Sequence, residues 1–111
     1  MTVKELTEKL NLQVIAGAKG LTNEITGGYV SDLLSDVMGH ANAGEIWITL
    51  QTHKNVMAIA SLKELAAIVI VKGLTAEEDM LNQANEEDIP VLSTSMSAFD
   101  VTGEIYNLLK K

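Results

Sequence analysis

Residues 66–71 read AAIVIV, six consecutive apolar positions closed by Lys72 and Gly73. A strand with one wet face alternates apolar and polar side chains, whereas an unbroken run of this length is the pattern of a parallel strand covered on both faces. Parallel neighbours must be joined by crossover segments, usually helices, and the flanking sequence supplies them. Upstream, EIWITLQT at 45–52 is β-branched and apolar enough for a buried strand, and Asn55 is placed to cap a helix carrying Val56, Ile59, Ala60, Leu62 and Leu65. Downstream, Thr75 and Glu78 have capping-box spacing, opening a helix that turns Leu81 and Ala84 inward. A strand over 89–94 follows, with the only proline, Pro90, at its start, where a missing N–H is tolerated. Ser97 with Asp100 then begins a last helix bearing Phe99, Thr102, Ile105, Tyr106 and Leu109.

Toward the N-terminus, Thr2 and Glu5 form another capping box, and Val3, Leu6 and Leu10 share a helical face, predicting a helix over 3–11. A short strand at 12–16, a glycine-bearing loop at 17–23 and a second short strand at 28–30 come next. Ser31 or Asp32 is then expected to cap a helix built on Leu33, Leu34, Val37, Met38 and Ala41, with Gly44 as its stop. The expected fold is α/β: a single domain over 1–111, three-layered, with a mostly parallel sheet of about five strands flanked by helices.

The composition narrows the function classes. Fifteen acidic against eight basic residues give a net charge of −7, which would repel a phosphate backbone and argues against nucleic acid as a partner. The chain has no cysteine, so disulfides, thiolate chemistry and zinc–thiolate sites are excluded, and a cytoplasmic setting is expected. The charged opening MTVKELTEKL is not that of a secretory leader, and no apolar run approaches the roughly 18 residues of a membrane span.

Catalytic motifs are scarce. Gly17-Ala18-Lys19-Gly20-Leu21-Thr22 is the nearest approach to a phosphate loop, but it lacks the Gly-Lys-Thr triplet and the spacing. Gly27-Gly28 is followed by Tyr29-Val30-Ser31, which is no dinucleotide fingerprint. His40 and His53 fall on different predicted elements, so no metal and no cofactor is expected. The acidic clusters 77–79 and 86–88 bracket one predicted helix, the second at its unfavourable negative end.

The remaining candidate lies at the carboxyl ends of the strands, the edge where open parallel sheets bind ligands. Ser31, Asp32, His53, Lys54, Lys72, Gly73, Thr75 and Ser95 would gather there, joining helix-start N–H groups, hydroxyls and two cations in a setting suited to an anion. A small enzyme using Asp32 or His53 as a base is the alternative reading of the same edge. The exposed edges of so small a sheet also suggest a homodimer.

TGGYVSDLLSDVM, EIWITLQTH, IASLKELAAIVIVKG and EDIPVLSTSMSAFDVTGEIY occur in that order between Ile25 and Leu109, and this series resembles the DRTGG domain family, including its short stand-alone members and the N-terminal domain of HPr serine kinase/phosphorylase. The name motif is partly visible as Glu24-Ile25-Thr26-Gly27-Gly28, with Glu for Asp and Ile for Arg, so an anion contact by that arginine is not implied. The resemblance implies a regulatory or scaffolding α/β module, often dimeric, with catalysis belonging to attached domains. The expected function is therefore a non-catalytic module that dimerises and senses a small anionic or nucleotide-like ligand, or docks onto an enzyme partner.

Overall fold

The computed structural model describes residues 1–110. In chain order its elements are α1 (Val3–Leu10), β1 (Gln13–Ala16), a 3-10 turn (Ala18–Thr22), β2 (Gly27–Val30), α2 (Leu34–His40), β3 (Glu45–Thr49), α3 (Asn55–Leu62), β4 (Ala67–Ile70), α4 (Glu78–Glu87), β5 (Val91–Ser93) and α5 (Ala98–Leu109). The five strands form one sheet in the order β1-β5-β4-β3-β2. Strands β2 to β5 are parallel, and β1 joins β5 antiparallel with a bulge between Val14 and Ala16.

The alternation of side chains on the central strands explains the apolar run. Trp47, Ile68 and Ile70 point to one face, where α2, α3 and α4 cover them with Val37, Val56, Met57, Ile59, Ala60, Met80 and Ala84. Ile46, Ile48, Ala67, Val69 and Leu92 point to the other, under α1 and α5 with Val3, Leu6, Val101 and Ile105. Both faces are dry, so no position of β4 has to be polar. Trp47 has no exposed surface, and its indole N–H donates to the Ser31 carbonyl at 2.8 Å, which satisfies the one polar atom of that side chain.

The glycine-bearing segment after β1 has a structural purpose. Because β1 and β2 lie at opposite ends of the sheet, the chain between them must traverse it, and it does so along the amino ends of the parallel strands. Gly17 and Gly20 press against the carbonyls of Ile89 and Asp88 just before β5, and a side chain at either glycine would collide with them. Farther along, Asn23 Nδ2 donates to the Ala66 carbonyl ahead of β4, and Thr26 Oγ1 donates to the Ala43 carbonyl ahead of β3. This belt lies at the end of the sheet opposite the expected ligand edge.

Several helix boundaries differ from the sequence reading. Neither Ser31 nor Asp32 caps α2, which starts after Leu33 with no side-chain cap. Asn55 is the first residue of α3 rather than its cap. The Thr75–Glu78 capping box does not form: α4 begins at Glu78 after Glu77, again without a side-chain cap. The two left-handed residues Lys72 (φ 62°) and Gly73 (φ 67°) send the chain away from β4, Ala76 is buried, and Glu77 is still extended, so the helix starts late. The caps at Thr2 and Ser97 are present as expected, accepting from the N–H groups of Glu5 and Asp100. Leu62, one of the apolar positions named for this helix, is exposed.

Candidate functional site

The carboxyl ends of β2 to β5 share one edge, and the turns leaving them are stitched together by hydrogen bonds. At the β2–β3 side, the Asp32 carboxylate accepts from Thr49 Oγ1 at 2.8 Å and from the Leu50 N–H at 2.7 Å, and Gln51 Nε2 donates to the Asp32 carbonyl. Thr49 is the one buried polar residue of the core among the described residues, and Asp32 is what satisfies it. Ser31 Oγ accepts from the Leu33 N–H at 3.1 Å, closing a tight turn where a helix cap was expected. Both residues are therefore engaged in holding the β2 turn to the end of β3.

In the centre, His53 Nδ1 lies 3.0 Å from Glu77 Oε2, and the Glu77 N–H donates to the Thr52 carbonyl. Lys54 stands at the start of α3, lining the groove toward α4 with Asn55, Gln83 and Glu87. Thr75 is exposed on the approach to α4. Lys72 and Gly73 turn beside the end of β5, their N–H groups donating to the carbonyls of Met96 at 2.9 Å and Thr94 at 2.8 Å.

Only part of the predicted set therefore meets in one place. Gly73 and Ser95 come together in a groove of about 460 Å³, joined by Leu10, Asn11, Gln13 and Ser93 to Met96. Asn11 and Gln13 belong to the α1–β1 corner; sequence reading missed them because β1 is placed beside β5 only by the tertiary fold. Ser31 with Asp32, and His53 with Glu77, form separate clusters along the edge. The groove has two features of a binding site. The chain leaves β4 for the helix on one face and leaves β5 for the helix on the other, the arrangement that opens crevices in parallel sheets. Its lining sets hydroxyls, amides and a glycine turn beside the apolar Leu10 and Met96, with no carboxylate, whereas the groove on the opposite edge is lined by Glu24, Glu64, Glu87 and Asp88.

A second polar cluster flanks α2. The Tyr29 hydroxyl donates to Asp36 Oδ1 at 2.9 Å, and His40 Nδ1 lies 3.3 Å from the same oxygen. The hydroxyls of Ser31 and Tyr29 hold the Asp36 carboxyl below the usual carboxylate value, and the bond to Asp36 raises the Tyr29 phenol above its own. Among the described residues no group of three or more His, Asp or Glu side chains has a metal-binding arrangement. No helix among them is long and apolar enough to cross a membrane.

The DRTGG domain model matches residues 5–108. The chain belongs to the DRTGG domain family. Its fold is similar to that of the CBS and DRTGG domains of the regulatory region of Clostridium perfringens pyrophosphatase, a structure solved with the activator diadenosine tetraphosphate. The TM-score is 0.72 at 12% identity, over 92% of this chain and 44% of the pyrophosphatase chain. The DRTGG chain described here thus spans less than half of that regulatory region, and the likeness concerns the fold. No curated protein matches it in sequence. Thr26 packs against the left-handed turn at Gly44, and Gly27 and Gly28 open the edge strand.

Proposed function

We propose that residues 1–111 form a single cytoplasmic, non-catalytic regulatory module that acts as a homodimer and binds a small anionic, nucleotide-like molecule in the groove between the ends of β4 and β5, passing that signal to an enzyme partner. The observation that carries this reading is the character of the groove. In a chain of net charge −7 it is a carboxylate-free recess whose hydroxyls and amides sit with Leu10 and Met96 at the Gly73 turn, next in sequence to Lys72, so an anion meets less repulsion there than at the acidic opposite edge. The regulatory region of the pyrophosphatase, which shares the fold and was crystallised with a nucleotide activator, supports the same class of ligand.

A thermal-shift screen of nucleotides and phosphorylated metabolites tests the proposal. A true ligand should raise the melting temperature of the wild type and of Lys54→Ala, with clearly smaller shifts for Lys72→Ala and Ser95→Ala, and its effect should weaken as salt rises. Magnesium-ATP should show no turnover above background. If no compound stabilises the wild type, or if a hit stabilises all three variants equally, the groove is not the site.

A further inference from the structure

Among the described residues eight large apolar side chains are exposed, and five of them, Val30, Leu33, Met38, Phe99 and Tyr106, belong to β2, to α2 with its capping residue, or to α5. These are the elements at one end of the sheet. The two sheet edges are treated differently. Strand β1 carries a bulge, a device that discourages pairing, whereas β2 runs Gly27-Gly28-Tyr29-Val30 in unbroken register with β3 and has no charge, proline or bulge.

We infer that β2 and α5 form the homodimer surface, with a second copy of this chain related by a twofold axis that pairs β2 with β2 antiparallel and lays α5 against α5. This rests on the dimeric reading above and specifies its geometry. A twofold axis normal to the sheet continues it through both β2 strands and makes the two α5 helices antiparallel neighbours. Gly103 sits midway along the exposed side of α5, and a side chain there would meet nothing in the monomer. A glycine inside a helix is destabilising relative to alanine, and close approach of a second helix would account for it. With the crossing at Gly103, Phe99, 87% exposed, falls beside Tyr106, 58% exposed, of the other copy.

Charge and area both favour a second copy as the occupant. The first turn of α5 carries Asp100, and its end carries Lys110, whose ammonium lies 5.3 Å from the centre of the Tyr106 ring; an antiparallel pair sets the acidic start of each helix toward the basic end of the other. The exposed side chains of β2 and α5, Val30, Phe99 and Tyr106, together offer roughly 400 Å² per copy from areas typical of their kinds, about half of the ~800 Å² each partner buries in a standard interface. A foreign strand added to β2 alone would leave Phe99 and Tyr106 wet. Between α5 and β2 runs a groove of about 400 Å³, lined by Val30, Ile48, Thr102, Ile105 and Leu109, in which the Thr102 hydroxyl has no hydrogen-bond partner among the described residues.

Sedimentation and cross-linking test this surface. Wild type should sediment as a dimer, and Val30→Lys and Phe99→Ser should each raise its dissociation constant by at least about tenfold without lowering the melting temperature of the monomer. Because the chain has no cysteine, Gly103→Cys supplies a single thiol near the axis, and it should form a disulfide-linked dimer on oxidation far more readily than the control Leu62→Cys on the exposed side of α3. A wild type that stays monomeric up to about 100 μM, a range reaching weak dimers, would remove the dimeric reading itself. A wild-type dimer indifferent to Val30→Lys and Phe99→Ser, with Gly103→Cys linking no faster than the control, would keep the dimer and overturn this surface.

Discussion

Gly17 and Gly20 show how one residue type can suggest opposite roles. In the sequence they flank a lysine and resemble a phosphate loop with faulty spacing; in the structure they let the belt after β1 lie against the carbonyls of Ile89 and Asp88. The obstructing atoms are backbone, so no change of rotamer relieves the clash, and Gly17 adds a left-handed φ of 71°. Gly20→Ala should therefore destabilise the fold by about 2 kcal/mol or more, whereas Lys19→Ala, on an exposed side chain, should change stability by less than about 0.5 kcal/mol. Urea unfolding followed through the buried Trp47 separates the two; equal midpoints would mean that the belt does not depend on close approach.

At the scale of elements, the helix starts divide into those with a working side-chain cap and those without. Ser97 Oγ accepts from the Asp100 N–H at 3.1 Å, so Ser97→Ala should cost about 1 kcal/mol. Thr75 has the same apparent sequence signature but lies three residues before α4 and caps nothing. Thr75→Ala should therefore fall within about 0.5 kcal/mol of wild type, and a thermal melt that reverses this order would contradict the observed start of α4. The cap reading failed at Thr75 because capping-box spacing is a local signal, whereas the onset of α4 is decided by Ala76 entering the core and by the turn at Lys72 and Gly73. The last helix was legible because Ser97, Val101 and Ile105 agree with one another: the cap and the buried stripe specify the same start.

For the whole molecule, the pH dependence of stability follows from three shifted groups. Glu5 is held below its usual value by hydrogen bonds from the Thr2 N–H and hydroxyl, and Asp36 by the hydroxyls of Ser31 and Tyr29. A carboxylate lowered in the folded state contributes stability above its unfolded pKa, and that contribution is lost as pH falls through the folded value. The raised Tyr29 phenol has the opposite sense: its contribution is present below the ordinary tyrosine value and is lost as pH rises through the folded one. Stability should thus hold a plateau between about pH 5 and pH 9 and decline on both sides. Tyr29→Phe deletes the bond to Asp36, so it should flatten both limbs in urea titrations across that range; an unchanged profile would mean the pair does not contribute.

The sequence by itself determined the layering and most of the strands. AAIVIV at 66–71 has no polar position, so it had to be covered on both faces, and the β-branched blocks and helical stripes around it left a mostly parallel sheet as the consistent solution. It also brought the carboxyl ends of β2 to β5 to one edge, and with them the neighbourhood of Gly73 and Ser95. Local pattern does not encode which strand lies beside which. Only the tertiary structure placed β1 antiparallel at β5, so that Asn11 and Gln13 joined the groove, and put β2 at the open edge beside the exposed side of α5. It also turned Asp32 into the partner of Thr49. The physical reason is common to these cases: strand order and the pairing of distant polar groups depend on how both faces of the sheet are buried together, a property of the whole chain and of no single segment.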